Sequence, residues 1–220
     1  MSIGLILLVV VSILILFGVA QRVLDRLRLT DRQALLFAAL IFIGGLLPDI
    51  PLSDMLRVNI GGALVPLGLS VYLLAKAGSG REVGRALAAS ALTAIAIYLM
   101  GRLLPAEPER AFFNYNILYG LAGGAFAWLF GRSRRGAFVA GVLGAIGADV
   151  WSAVEVWRSG VSQPLTLGGA GAMDVIVIAS LTAVLLAEFV GELVERAVRG
   201  RRAPNRVFDK GDFRERSESK

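Results

Sequence analysis

The sequence has no cysteine and no histidine, and it has only three lysines among its 220 residues. Without cysteine there can be no disulfides, thiolate metal sites or thiol nucleophiles. Without histidine there is no serine–histidine pair, no H-E-x-x-H zinc site and no histidine proton relay. The lysines lie outside the apolar runs, which excludes a retinal Schiff base. G-x-S-x-G and G-x-x-x-x-G-K motifs are also absent, so carboxylates are the main candidates for chemistry.

Charged residues are scarce as well, at 18%, while 56% of residues are hydrophobic. This balance is typical of an integral membrane protein, in which a crossing helix needs about 20 mostly apolar residues. The sequence therefore predicts an all-α transmembrane helical bundle of about seven spans. The predicted spans are residues 3–20, 33–47, 59–75, 84–104, 114–131, 136–156 and 168–193. The first is expected to be a retained helix, because no positive charge precedes it and Arg22 follows it.

Most of the 23 basic residues fall in alternate connections and in the C-terminal tail. Because Lys and Arg accumulate in cytoplasmic loops, this pattern predicts an outside N-terminus, a cytoplasmic C-terminus and a multi-pass location in the cytoplasmic membrane. Residues 1–200 are expected to form the transmembrane domain, and residues 201–220 a polar, flexible cytoplasmic tail. The net charge of +6 is spread over all the inner segments, so it is interpreted as a topology signal and predicts no nucleic-acid partner.

Small residues recur every four positions in the sixth predicted span, at Gly136, Ala140, Gly144 and Ala148. Such spacing lets helix backbones approach closely inside a bilayer. The sequence therefore predicts a tightly packed seam, with Asp149 beside it.

Asp149 and Asp174 are acids inside the sixth and seventh predicted spans. A charge at mid-membrane costs about 2.5 to 3.5 kcal/mol on insertion scales, so an acid in a span indicates a function with a nearby partner. Helical rise places the two acids roughly 12 and 9 Å below the outer boundary of consecutive antiparallel helices. We expect them to form a carboxylate pair that shares a proton, so that one can activate water while the other protonates a leaving group.

Further polar residues gather in the same outer half of the predicted bundle. They are Asp49 in "LLPDIPL", Asn59 at the start of the third span, and Asn116 and Tyr119 near the start of the fifth. We expect all four to line a polar cavity that opens to the outside.

The segments "GADVW" and "GAMD" resemble, locally, the Y-D and G-x-G-D motifs of the presenilin and signal-peptide-peptidase intramembrane aspartyl proteases. That resemblance implies a catalytic dyad of Asp149 and Asp174. Ala148 and Met173 stand where those proteases have Tyr and the second Gly. Over its whole length the chain resembles a family of bacterial and archaeal polytopic membrane proteins known only as a domain of unknown function. The matching blocks are "LLPDIPL", "NIGGALVPLGLSVYLL", "GADVW" and "GAMD", and this resemblance implies fold and location.

Three functions stay open from the sequence. The first is an intramembrane aspartyl protease-like hydrolase that acts on a transmembrane peptide, with no cofactor and no metal. The second is a proton- or cation-coupled transporter or channel, since acids in spans also mark ion pathways. The third is a membrane assembly protein without catalysis. The lipid bilayer is the expected partner in all three, and the sequence indicates no oligomeric state.

Overall fold

The computed structural model describes residues 31–103, 115–131, 133–201, 206–209 and 212–215. Most of these residues are helical, which confirms the predicted predominance of helix. The first predicted span, residues 3–20, lies outside the described residues.

Six α-helices and one π-helical segment follow one another along the described chain. They are α1 Asp31–Gly45, the π-helix Ile60–Leu64 leading into α2 Val65–Ala75, α3 Gly80–Leu103, α4 Tyr115–Gly131, α5 Arg134–Arg158 and α6 Val175–Arg201. Helices α3 and α5 are long and apolar enough to cross a membrane, and shorter apolar stretches occupy Leu35–Gly45, Ile60–Ala75, Ile117–Gly131 and Val175–Gly191. Each predicted span after the first therefore overlaps a helix, while the seven-span topology and its orientation stay predictions.

Helix boundaries follow local chemistry. Ser133 caps α5, because its hydroxyl accepts a hydrogen bond from the Gly136 N–H at 3.0 Å and so satisfies a donor that the first turn leaves free. Asn59 caps the π-helix in the same way. Pro66 lies at the start of α2, directly after the π-helix, and proline, which has no N–H to donate, is common where regular α-helical hydrogen bonding is interrupted.

A small three-stranded sheet, which the all-α prediction does not include, joins two distant connections. Strand β1 is Ile50–Ser53, β2 is Leu56–Val58 and β3 is Leu165–Leu167. Strand β2 lies in the centre, antiparallel to β1 and parallel to β3. The sheet therefore ties the segment after α1 to the segment between α5 and α6.

The chain divides into two units, Met1–Ala187 and Glu188–Lys220. The second unit contains the end of α6 and an antiparallel hairpin of β4 Arg206–Asp209 and β5 Asp212–Glu215. This hairpin falls within the predicted tail. The first unit holds the sheet and the candidate site.

Small residues form much of the interior of the first unit, as the four-residue spacing predicts. Gly136, Ala140, Gly144 and Ala148 are all buried. A Cβ on Gly144 would meet Thr93 of α3 at 2.6 Å, and one on Gly141 would meet the Ser180 backbone of α6 at 2.8 Å. The helices thus approach closely because these positions lack side chains.

Large apolar side chains, in contrast, are exposed on the outer faces of several helices. They include Leu36, Phe42 and Ile43 on α1, Leu87, Leu92, Ile95 and Leu99 on α3, and Leu118, Leu121 and Leu129 on α4. The distribution is therefore a small-residue interior inside a surface of large apolar side chains.

Candidate functional site: two aspartates at one cavity

The segment that precedes Asp174 is a glycine-rich turn. Gly168 and Gly171 adopt φ values of +72° and +58°, in the left-handed region where glycine is favoured. A short 3₁₀ turn, Gly171–Met173, follows, and α6 begins only at Val175. The prediction of one continuous helix over residues 168–193 is therefore wrong for its first seven residues, because two left-handed glycines cannot belong to an α-helix.

Close backbone packing explains why these positions are glycine. A Cβ on Gly171 would lie 2.8 Å from the Gly45 carbonyl oxygen at the end of α1. Gly62 of the π-helix packs against the Gly168 backbone so closely that a Cβ has no room. The backbones of α1, the π-helix and the turn before Asp174 therefore lie in close contact.

Asp174 is the capping residue of α6. One of its carboxylate oxygens accepts a hydrogen bond from the Ile176 N–H at 3.0 Å, and the other accepts from the Ala170 N–H at 3.3 Å. The acid therefore lies in the loop directly before α6, so the helical rise that gave it a depth of roughly 9 Å does not apply to the residues before it. The short side chain of Asp suits this place, because its oxygens reach backbone donors two and four residues away.

The environment of Asp174 acts on its protonation in two opposite ways. Burial raises the pKa of the Asp174 carboxyl above its ordinary value. The hydrogen bonds from Ile176 and Ala170 stabilise the carboxylate and lower the pKa by a smaller amount. The net shift is upward, so the folded protein favours the protonated acid more than water does.

Asp149 lies on α5 and lines the same cavity as Asp174. This cavity has a volume of about 460 Å³ and is also lined by Ser152, Gln163 and Thr166. Among the described residues, no hydrogen bond to the Asp149 carboxyl is present. The two acids thus share a polar space that has room for water, and only Asp174 is held by backbone donors.

A second cavity, of about 480 Å³, continues from Asp149 toward the C-terminal ends of α3 and α5. Tyr119 lines it, as the sequence predicts for a cavity residue. At its far end Arg102 forms an ion pair with Glu155, and the Tyr98 hydroxyl donates a hydrogen bond of 2.6 Å to the same carboxylate. Polar groups therefore continue from the two aspartates to a paired charge on α3 and α5.

Asp49 and Asn59 pair with each other instead of lining either cavity. The buried Asn59 amide donates to the Asp49 carboxylate at 3.0 Å and to the Leu47 carbonyl at 3.2 Å, and its oxygen accepts from the Gly62 N–H at 2.9 Å. The Asn59 backbone N–H donates to the Leu167 carbonyl at 2.9 Å. These two residues therefore do not line either of the two cavities at Asp149, and their hydrogen bonds hold the loops together; a polar cavity at Asp49 and Asn59 stays a prediction. The side chain of Asn116 lies outside the described residues.

Several residues that line the cavities are not predicted from the sequence. Ser152 and Glu155 follow Asp149 at three-residue intervals on α5, and this spacing places them on about one side of a helix. That signal could have found them. Gln163 and Thr166 carry no comparable signal, because only the pairing of β3 with β2 brings their loop to the cavity.

Metal chemistry receives little support from the donor set. The sequence offers no cysteine or histidine. Within the part of the chain that the structure describes, no group of three or more Asp or Glu side chains could hold a metal ion. What the arrangement can do is hold and transfer protons between two carboxyl groups and a water molecule.

Comparison with known proteins identifies a family but no activity. No curated protein and no solved structure matches the chain. A family described as "Protein of unknown function (DUF1614)" matches residues 19–186, most of the chain's length. The chain therefore belongs to the DUF1614 family.

Proposed function

We propose that this chain is a multi-pass protein of the cytoplasmic membrane, with about seven spans, an outside N-terminus and a cytoplasmic C-terminus. The distribution of side-chain size supports this placement. Large apolar residues such as Leu36, Leu92 and Leu121 are exposed, while alanines and glycines fill the interior. A water-soluble monomer rarely exposes so much apolar surface, whereas lipid solvates it, and small residues permit close helix packing.

We further propose that Asp149 and Asp174 act together as an aspartyl hydrolase-like dyad on a transmembrane peptide. One observation carries this proposal: the two acids come from different elements to line one polar cavity of about 460 Å³. Their surroundings differ, because Asp174 accepts two backbone hydrogen bonds and Asp149 accepts none among the described residues. Such asymmetry gives two like acids different roles in general acid–base catalysis.

In this mechanism a water molecule lies between the two carboxyl groups. The ionised carboxyl takes a proton from the water as the oxygen attacks the peptide carbonyl carbon. The protonated carboxyl donates its proton to the carbonyl oxygen, which gives a tetrahedral diol. The first carboxyl then passes the proton that it took from water to the amide nitrogen, which leaves as an amine when the C–N bond breaks. At the same time the second carboxyl takes a proton back from one diol hydroxyl, so that a carboxylic acid product forms and both acids return to their starting states. Both acids are required, because one carboxyl must be ionised to accept a proton while the other is protonated to donate one.

Cleavage of a model transmembrane peptide by the purified protein tests the proposal. Asp149→Asn and Asp174→Asn should each reduce the rate by several orders of magnitude, and the double variant should be little worse than either one. The matched control is Asp54→Asn, since Asp54 is exposed in the β1–β2 turn. An aspartyl transition-state inhibitor should also block the wild type. Cleavage that persists in Asp174→Asn would overturn the dyad.

A proton- or cation-coupled transporter is the second candidate. The observation that favours it is the continuity of the two cavities, which share Asp149, Ser152, Val156 and Val175. A chain of polar groups from Asp174 through Asp149 to Glu155 suits a proton pathway. In proteoliposomes, transport predicts a flux that loses its coupling in Asp149→Asn and Glu155→Gln variants, with no peptide cleavage by the wild type.

A further inference from the structure

A shallow apolar groove runs between α3 and α5 on the outer face of the first unit. It has a volume of about 320 Å³ and is lined by Ala94, Ile95, Tyr98, Leu99, Gly147 and Trp151. The two helices are close together here, since a Cβ on Gly147 would lie 3.1 Å from the Ala94 Cβ. The absence of a side chain at Gly147 thus creates a slot in the apolar surface.

Tyr98 forms a wall common to this groove and to the second polar cavity. On the groove side, Trp151 meets the Tyr98 ring edge to face, with ring centroids 6.1 Å apart. On the cavity side, the Arg102 guanidinium lies 5.3 Å from the centre of the same ring and pairs with Glu155. An apolar slot and a pair of opposite charges are therefore neighbours across one aromatic ring.

Both charges of this pair are accessible. The Arg102 and Glu155 side chains are 56% and 47% exposed, so an ion pair here is easily exchanged for other partners. Trp151, 65% exposed, and Trp157 mark this end of α5 as a region of amphipathic aromatic side chains. In a bilayer such residues lie at the depth of lipid headgroups.

From this juxtaposition we propose that the groove and the Arg102–Glu155 pair bind one zwitterionic phospholipid of the surrounding bilayer. An acyl chain lies in the groove against Trp151 and Gly147. The phosphate pairs with Arg102, and the ammonium group pairs with Glu155 while facing the Tyr98 ring. This site rests on the proposed membrane placement and does not depend on hydrolysis by the two aspartates.

Charge complementarity selects this class of lipid. A headgroup with one negative and one positive charge satisfies both members of the pair, whereas an anionic headgroup would leave Glu155 unmatched and would approach Asp149 in the same cavity. A helix with its side chains is about 10 to 12 Å across, which is wide for a groove of about 320 Å³ between two contacting helices. A single acyl chain is narrower and suits the slot.

The test is competition between phosphatidylethanolamine and phosphatidylglycerol of matched acyl chains for the delipidated full-length protein, followed by native mass spectrometry. Each charged contact at this partly exposed site should contribute modestly, so we expect phosphatidylethanolamine to bind about fivefold more tightly. Arg102→Gln and Glu155→Gln should each remove the preference, and Arg158→Gln at the exposed end of α5 is the control that should keep it. Trp151→Ala should weaken both lipids equally.

The outcomes are separable. Equal binding of the two lipids by the wild type would overturn the headgroup site, and this comparison requires no variant. The double variant Arg102→Gln/Glu155→Gln leaves two amides that can hydrogen-bond each other. If this variant still preferred phosphatidylethanolamine, the headgroup site would also be overturned. Binding of neither lipid would contradict the membrane placement itself. None of these measurements involves peptide cleavage, so a failed dyad would leave them unaffected.

Discussion

Replacement of Asp174 by Ala and by Asn separates its two roles, as a helix cap and as a reactive acid. Alanine removes both acceptors for the Ile176 and Ala170 N–H groups, at 3.0 and 3.3 Å. Each such hydrogen bond contributes about 1 kcal/mol net, and loss of a cap costs about 0.5 to 2 kcal/mol, so Asp174→Ala should be destabilised by about 2 kcal/mol. Asparagine retains one acceptor oxygen and avoids burial of a charge, so Asp174→Asn should stay within about 1 kcal/mol of the wild type.

Thermal unfolding in detergent, followed by far-UV circular dichroism, measures this difference. For a chain of this size, the Asp174→Ala midpoint should fall by about 4 to 8 °C, and that of Asp174→Asn by much less. Peptide cleavage should be lost in both variants, because neither can exchange a proton. Stability and activity should therefore respond differently to the same pair of substitutions.

Two results would refute this reasoning in different ways. Equal stability of the Ala and Asn variants would show that the cap contributes little, despite its two hydrogen bonds. The second result is that Asp174→Asn is as active as the wild type in cleavage or transport while Asp174→Ala has low stability. That result would make the acid a structural cap with no part in the chemistry.

Three further predictions concern pH, packing and topology. The pKa of Asp174 is raised in the folded state from its ordinary value of 3.8. The protonated carboxyl should therefore contribute its full share to the free energy of unfolding below pH 3.8, and this share should be lost as the pH rises through the folded pKa. The midpoint temperature of the wild type, measured relative to that of Asp174→Asn, should accordingly decrease as the pH is raised toward neutral. A difference between the two midpoints that does not change with pH would contradict this. Gly62→Ala should cost at least about 2 kcal/mol, since a Cβ there overlaps a backbone carbonyl. Gly68→Ala on α2, where a Cβ meets nothing within 4 Å, should be neutral or stabilising by up to about 1 kcal/mol in the same unfolding assay. A single cysteine at Ser53 should react with an impermeant thiol reagent outside intact cells while one at Ser79 should not, and the reverse pattern would invert the predicted orientation.

The sequence by itself determined the features that repeat along a helix. Composition and apolar run length predict the helical class, and the described helices overlap the predicted spans. The four-residue spacing from Gly136 to Ala148 predicts a buried face, which the structure confirms. These properties depend on residues a few positions apart, and helical geometry alone relates such residues in space.

The tertiary structure decided where the polar residues act. Asn59 finds partners at Leu47, Asp49 and Leu167, and the last of these comes from a segment more than a hundred residues away. Gly168 and Gly171 belong to an apolar span in the sequence prediction, yet both adopt left-handed backbone conformations. They lie in close contact with the backbones of Gly62 and Gly45. Asp174 therefore caps a helix, and it lines one cavity with Asp149. The preceding loop is held by the pairing of β3 with β2. Local periodicity cannot encode such an arrangement, because close approach between distant segments depends on how their backbones fit together in three dimensions.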